Sequence, residues 1–109
     1  MRLKRLLNAP SEVRVVQIPN SRLYGAYLFI SKRRTSWSCG HHHKMAETAD
    51  RCKDDVARAW LYAQTTAHLC ESLGKTHDGH DLFSISIPDP IGGHTVHPRI
   101  VVERKSKDQ

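Results

Sequence analysis

Basic and aromatic side chains are interleaved along the first half of the chain in a pattern that suits a polyanion. Arg14, Arg22, Lys32, Arg33, Arg34 and Lys44 alternate with Tyr24, Tyr27, Phe29 and Trp37. On a β-strand, residues two apart share a face, so Tyr27, Phe29, Ser31 and Arg33 would lie together, opposite Tyr24, Ala26, Leu28 and Ile30. Aromatic rings can stack on bases while guanidinium groups neutralise phosphates. A twisted β-ribbon also fits the DNA major groove, where arginine reads guanine edges. The candidate nucleic-acid contacts are therefore Arg14, Arg22, Tyr27, Phe29, Lys32, Arg33, Arg34, Trp37 and Lys44.

Histidine and cysteine form a second group. Cys39, His41 and His43 alternate along one candidate strand face, with His42 opposite, and His77 and His80 lie in a later loop. Zinc takes four N/S ligands, usually as closely spaced pairs, and the pairs on offer are Cys39 with His41 and His77 with His80. No Cys-x-x-Cys occurs, and the two pairs flank a helix expected to be about 40 Å long. No metal and no cofactor is assigned, and a chelator is expected to leave folding unchanged. Residues His77, Asp78, His80 and Asp81 could bind Mg²⁺ or do acid–base work. The same residue types equally serve turns and solubility. With no nucleophile elbow and no phosphate-cradling glycine loop, no catalytic residue is assigned, and the chain reads as a binding protein rather than an enzyme.

The charge distribution supports that reading. Residues 1–44 carry nine Lys/Arg against Glu12 alone, residues 45–90 are net acidic at −4, and the remainder is +2, for a total of +6. A basic first half followed by an acidic segment suggests a surface that meets a polyanion or an acidic partner.

The elements that must position these groups are legible from periodicity. Met45, Ala49, Cys52, Val56, Trp60, Ala63, Ala67, Cys70 and Leu73 recur at steps of three and four, which predicts one helix over 45–73 with Gly74 as its C′ residue. Three strands are expected upstream, over 12–18, 23–32 and 35–43, with Arg33 and Arg34 in the turn between the second and third. The second is apolar on both faces, as a central strand is. Downstream, residues 75–81 read as a loop, 82–87 as a strand, 88–93 as a turn and 95–103 as a fifth strand. The expected fold class is α+β: a three-stranded antiparallel meander packed on one long helix, followed by a C-terminal β-hairpin (β-β-β-α-β-β). Residues 1–109 form one domain in this reading, with 1–10 a basic arm carrying Arg2, Lys4 and Arg5, and 105–109 a frayed tail. Leu61, Tyr62 and Leu69 are expected to cover the C-terminal hairpin.

Three cysteines, an odd number, argue against a secreted disulfide framework, and no run approaches the roughly 20 apolar residues that span a bilayer. A cytoplasmic protein without membrane contact is expected. The β-β-β-α part, roughly residues 11–74, resembles in outline the arm-binding domains of phage integrases, in which a three-stranded sheet docks on DNA and a helix braces its back. The resemblance is one of topology and carries no functional residue over. The expected partner is nucleic acid, DNA in preference to RNA. The alternative is a protein–protein module, an inhibitor or adaptor from a phage or other mobile element, whose basic face docks on an acidic protein. Self-association as a homodimer is compatible with either.

Overall fold

The computed structural model describes residues 2–40, 42–67, 70–85, 87–88, 95–96 and 99–104. A short helix, α1 (Leu3–Asn8), leads into strands β1 (Ser11–Gln17), β2 (Tyr24–Ile30) and β3 (Arg33–Ser38). Helices α2 (Ala46–Asp50) and α3 (Lys53–Thr65) follow. The chain continues through β4 (Glu71–Lys75), β5 (Asp81–Ser84), β6 (Ile87–Pro88), β7 (Thr95–Val96) and β8 (Arg99–Val102). The fold is α+β. Among the described residues one antiparallel sheet runs β1-β2-β3-β8-β5-β4, and β6 pairs with β7 in a separate ribbon. β8 inserts between β3 and β5, so the second half of the chain extends the first sheet.

The two apolar parities of β2 are used as a central strand uses them. Ala26, Leu28 and Ile30 face the helices and enter one core with Val56, Trp60, Ala63, Phe83, Ile100 and Val102. Ala49, Val56, Trp60 and Ala63 are the buried stripe of the bent helix pair, at the spacing the sequence predicts. The turn between β2 and β3 consists of Ser31 and Lys32, both with positive φ (50° and 65°), and not of Arg33 and Arg34. A two-residue turn of this hand matches the twist of the flanking strands. It pairs Ile30 with Arg33, which carries Arg33 to the core side of the sheet and leaves Arg34 opposite Phe29 on the outer side.

The long helix expected over 45–73 is shorter and broken. It bends at Arg51–Cys52, where the Cys52 N–H reaches back only to the Ala49 carbonyl (3.0 Å), and it ends at Thr65. The Thr65 and Thr66 hydroxyls both donate to the Tyr62 carbonyl (2.7 and 3.0 Å), an alternative partner that weakens helix continuation. Glu71–Lys75 then forms an exposed edge strand on β5. Gly74 does adopt the left-handed backbone that a helix C′ residue needs (φ 89°), but in a β-bulge, where the register shifts between Ser72 and Gly74.

The basic arm expected over residues 1–10 contains α1. Leu6 and Leu7 are buried in the core, and the Gln64 side chain on α3 donates to the Leu7 carbonyl at 2.7 Å. Leu3 and Ala9 pack against the same core and help dock this short helix. Gln64→Ala is expected to lower stability by about 1 kcal/mol, read as a shift of the urea midpoint; an unchanged midpoint would mean that this bond does not hold α1. Leu61 and Tyr62 stand exposed on the far side of α3 and do not cover the C-terminal strands. The turn expected over 88–93 lies almost wholly outside the described residues, as do His41, Leu69, residues 97–98 and the tail over 105–109. Among the described residues no helix is long and apolar enough to cross a membrane.

Candidate functional site

The outer face of the sheet brings together several of the expected contacts, but the chain's own groups already use them. Arg14 on β1 stacks over the Phe29 ring, its guanidinium carbon 4.7 Å from the ring centroid, and is ion-paired with Glu12. Arg34 on β3 stacks over Tyr27 at 5.7 Å and pairs with Glu103 at 2.9 Å. Phe29 is buried beneath this layer. A base that stacked on either ring would first have to displace an arginine.

Arg33 and Trp37 do not belong to that face. Arg33 is 9% exposed, and its Nη2 donates to Asp81 Oδ2 at 2.9 Å and to the Val102 carbonyl at 3.5 Å, while its Nε donates to the Glu103 carbonyl. Its charge is consumed inside the fold. Lys75 completes the arrangement from the solvent side, 3.0 Å from Asp81 Oδ1. Burial alone would raise the Asp81 carboxyl, but hydrogen bonds, led by those from Lys75 and Arg33, outweigh it and hold the pKa at about 2. Trp37 lies on the inner side of β3, edge-on to Trp60 with ring centroids 5.7 Å apart.

The remaining cations fall at two ends of the sheet, separated by the length of a seven-residue strand, about 20 Å. Arg22 and Lys44 are exposed at one end, beside the Tyr24–His43 bridge. At the other end the Ser31 N–H donates to the Pro10 carbonyl at 2.8 Å, which ties the β2–β3 turn to the exit of α1. Arg2, Lys4, Arg5, Asn8, Ala9, Pro10 and Ser31 line an open groove of about 970 Å³ there. A second hollow of about 480 Å³, lined by Pro10, Ser11, Glu12, Ser31 and Lys32, lies beside it and shares Pro10 and Ser31. Among the described residues Arg2, Lys4, Arg5 and Lys32 are exposed and have no carboxylate within ion-pair distance. The signal for this groove is present in the sequence as three bases in the first five residues. What hides it is the docking of Leu6 and Leu7, which turns an arm into a wall.

The cysteines and histidines assemble differently from the pairs that spacing suggests. Gly40, with φ 75°, ends the strand pattern after Cys39, and the chain leaves the ladder there. It returns at His43, whose N–H and carbonyl both bond Tyr24 (2.8 and 2.7 Å). This directs the His43 ring at Cys39, with Sγ–Nε2 3.6 Å, and at Cys52 in the helix bend, with Sγ–Nε2 3.5 Å. All three residues are half-buried, and burial together with the neighbouring Cys39 pushes the Cys52 thiol up. His77 and His80 belong to the β4–β5 turn, where His80 Nδ1 accepts the Arg104 N–H at 3.0 Å; they are not part of this cluster. Comparison with protein-family models, with curated proteins and with solved structures finds no match to this chain.

Proposed function

We propose that the protein is a small nucleic-acid-binding module, with DNA favoured over RNA, whose contact surface centres on the groove between α1 and the β2–β3 turn. The observation that carries this reading is the concentration of Arg2, Lys4, Arg5 and Lys32 around two adjoining hollows that share Pro10 and Ser31, without carboxylate partners among the described residues. Asn8 and Ser31 add neutral hydrogen-bonding groups to the same wall. Such a groove suits a phosphate backbone, which positions a protein without reading sequence. Arg14 on the edge strand β1 and Arg34 beyond Phe29 extend the basic surface along the outer face of the sheet, each able to exchange its carboxylate for a phosphate.

Lys4→Ala, Arg5→Ala and Lys32→Ala combined are expected to weaken binding to duplex DNA and to reduce the slope of log K against log salt by roughly 2–3, at about 0.9 per lost phosphate contact. Arg22→Ala with Lys44→Ala, at the far end of the sheet, should change the slope much less. Equal slopes for the triple variant and the parent would take the groove out of the interface.

The alternative is a protein–protein module whose basic groove docks on an acidic partner. It draws support from Leu61 and Tyr62, which stand exposed on the outer side of α3, two turns along from Asp54 and Asp55 in its first turn. An exposed aromatic beside an aliphatic side chain is the kind of anchor that protein interfaces bury. Graded lengths of duplex DNA, single-stranded DNA and RNA separate the two readings. A polyanion lattice gives affinity that rises with length, whereas absence of binding to all three at low salt would favour the protein partner.

A further inference from the structure

We infer that Cys39, His43 and Cys52 form a zinc site with two thiolates and one imidazole. The three ligand atoms lie within 4.8 Å of one another and come from three separate pieces of the fold: the end of β3, the bridge to Tyr24 and the bend between α2 and α3.

The two S···N distances fit a tetrahedral metal. Zinc with Zn–S of about 2.3 Å and Zn–N of about 2.0 Å in a tetrahedron sets S···N separations of about 3.5 Å. The observed values are 3.6 Å for Cys39 and 3.5 Å for Cys52. The two thiols also hydrogen-bond each other, so the three side chains meet as one cluster. A neutral imidazole Nε2 offers one lone pair or one proton, and two sulfurs are aimed at it together. A cation at the centre of the triangle serves all three atoms.

Charge and softness point to the same ion class. Two thiolates and a neutral imidazole balance the charge of a divalent cation, so a half-buried site would hold no net charge. Thiolate with imidazole favours zinc over the hard cations that carboxylate sites bind. The placement is also rigid. The Cys39 N–H bonds the Ala26 carbonyl at 3.0 Å, His43 is held by two backbone bonds, and Cys52 sits in the bend immediately before α3. Trp37, two residues before Cys39 and edge-on to Trp60, lies on the same inner side of the sheet and gives the site a fluorescent neighbour.

The test uses the purified, fully reduced protein titrated with Co²⁺ alone and then with Zn²⁺. The expected result is one cobalt per chain, with a near-ultraviolet thiolate-to-metal band, visible d–d bands of a tetrahedral ion, and displacement of both by zinc. Cys39→Ser and Cys52→Ser should each remove about half of the thiolate band. Cys70→Ser, whose sulfur sits against the Ala63 and Thr66 carbonyls, should leave it intact. Circular dichroism of each variant shows whether it is folded, and the Cys70→Ser protein keeps the comparison valid if either ligand variant is not. A missing thiolate band, a band undiminished in Cys39→Ser and Cys52→Ser, or a Cys39–Cys52 disulfide formed in air by a protein that takes no metal when reduced would each overturn the site.

Discussion

Asp81→Ala is expected to destabilise the protein by about 3–5 kcal/mol, the range for breaking one side of a buried ion pair. The Asp81 and Arg33 side chains are only 6% and 8% exposed, and their 2.9 Å contact lies on the inner side of the sheet. Removing the carboxylate leaves the Arg33 guanidinium buried with the Glu103 and Val102 carbonyls as its remaining acceptors. Replacing both residues together, Arg33→Met with Asp81→Leu, should recover much of the loss, because the uncompensated charge disappears with its partner. Urea unfolding of the single and double variants checks this; a double variant no more stable than Asp81→Ala would mean that packing and not charge governs the position.

The same carboxylate sets an acid limit. Its pKa falls from the ordinary 3.8 to about 2 in the folded chain. The group therefore contributes its stability in full above its unfolded value and loses it as pH falls through the folded one. A fall from 3.8 to about 2 corresponds to about 2 kcal/mol, lost between roughly pH 4 and pH 2. Asp81→Asn should flatten the stability curve in that window and leave its neutral-pH slope unaltered.

Trp60→Ala carries the second large effect, about 3–5 kcal/mol. Trp60 is 3% exposed, sits in the core with Val56 and Ala63, and packs edge-on against Trp37 at 88° between ring planes. Its indole Nε1 is buried without a hydrogen-bond partner among the described residues. Trp60→Phe should therefore be much milder than Trp60→Ala, since the smaller ring loses contact area but also removes a buried donor whose desolvation costs about 1–3 kcal/mol. An unfolding midpoint for Trp60→Ala equal to the parent's would mean that the helix presents a different face to the sheet.

Both positions bear on where local reasoning succeeds. Ala49, Val56, Trp60 and Ala63 are readable as an inward stripe because each step of three or four residues is a local geometric property of a helix. Ala26, Leu28 and Ile30 are readable for the same reason at a period of two. Arg33 is lost to such reading through the turn: moving the two central residues from 33–34 to 31–32 transfers Arg33 to the opposite face, since strand side chains alternate strictly. Cys70 and Leu73 continue the helical period by coincidence, and Gly74 supplies the same positive φ for a bulge that it would supply for a helix end.

By itself, the sequence determined the α+β class, the central place of β2, the buried face of the helix and the basic character of the first half, all of which follow from side-chain periodicity and net charge. Tertiary structure alone decided which charges remain available and which metal-type ligands meet. Arg33 is neutralised by Asp81, 48 residues away, and Cys39 and His43 meet Cys52 only because the chain leaves the ladder at Gly40 and the helix bends. The physical reason is the same in both cases: pairing energies depend on distances across the fold, and a linear pattern records only which residues are near one another along the chain.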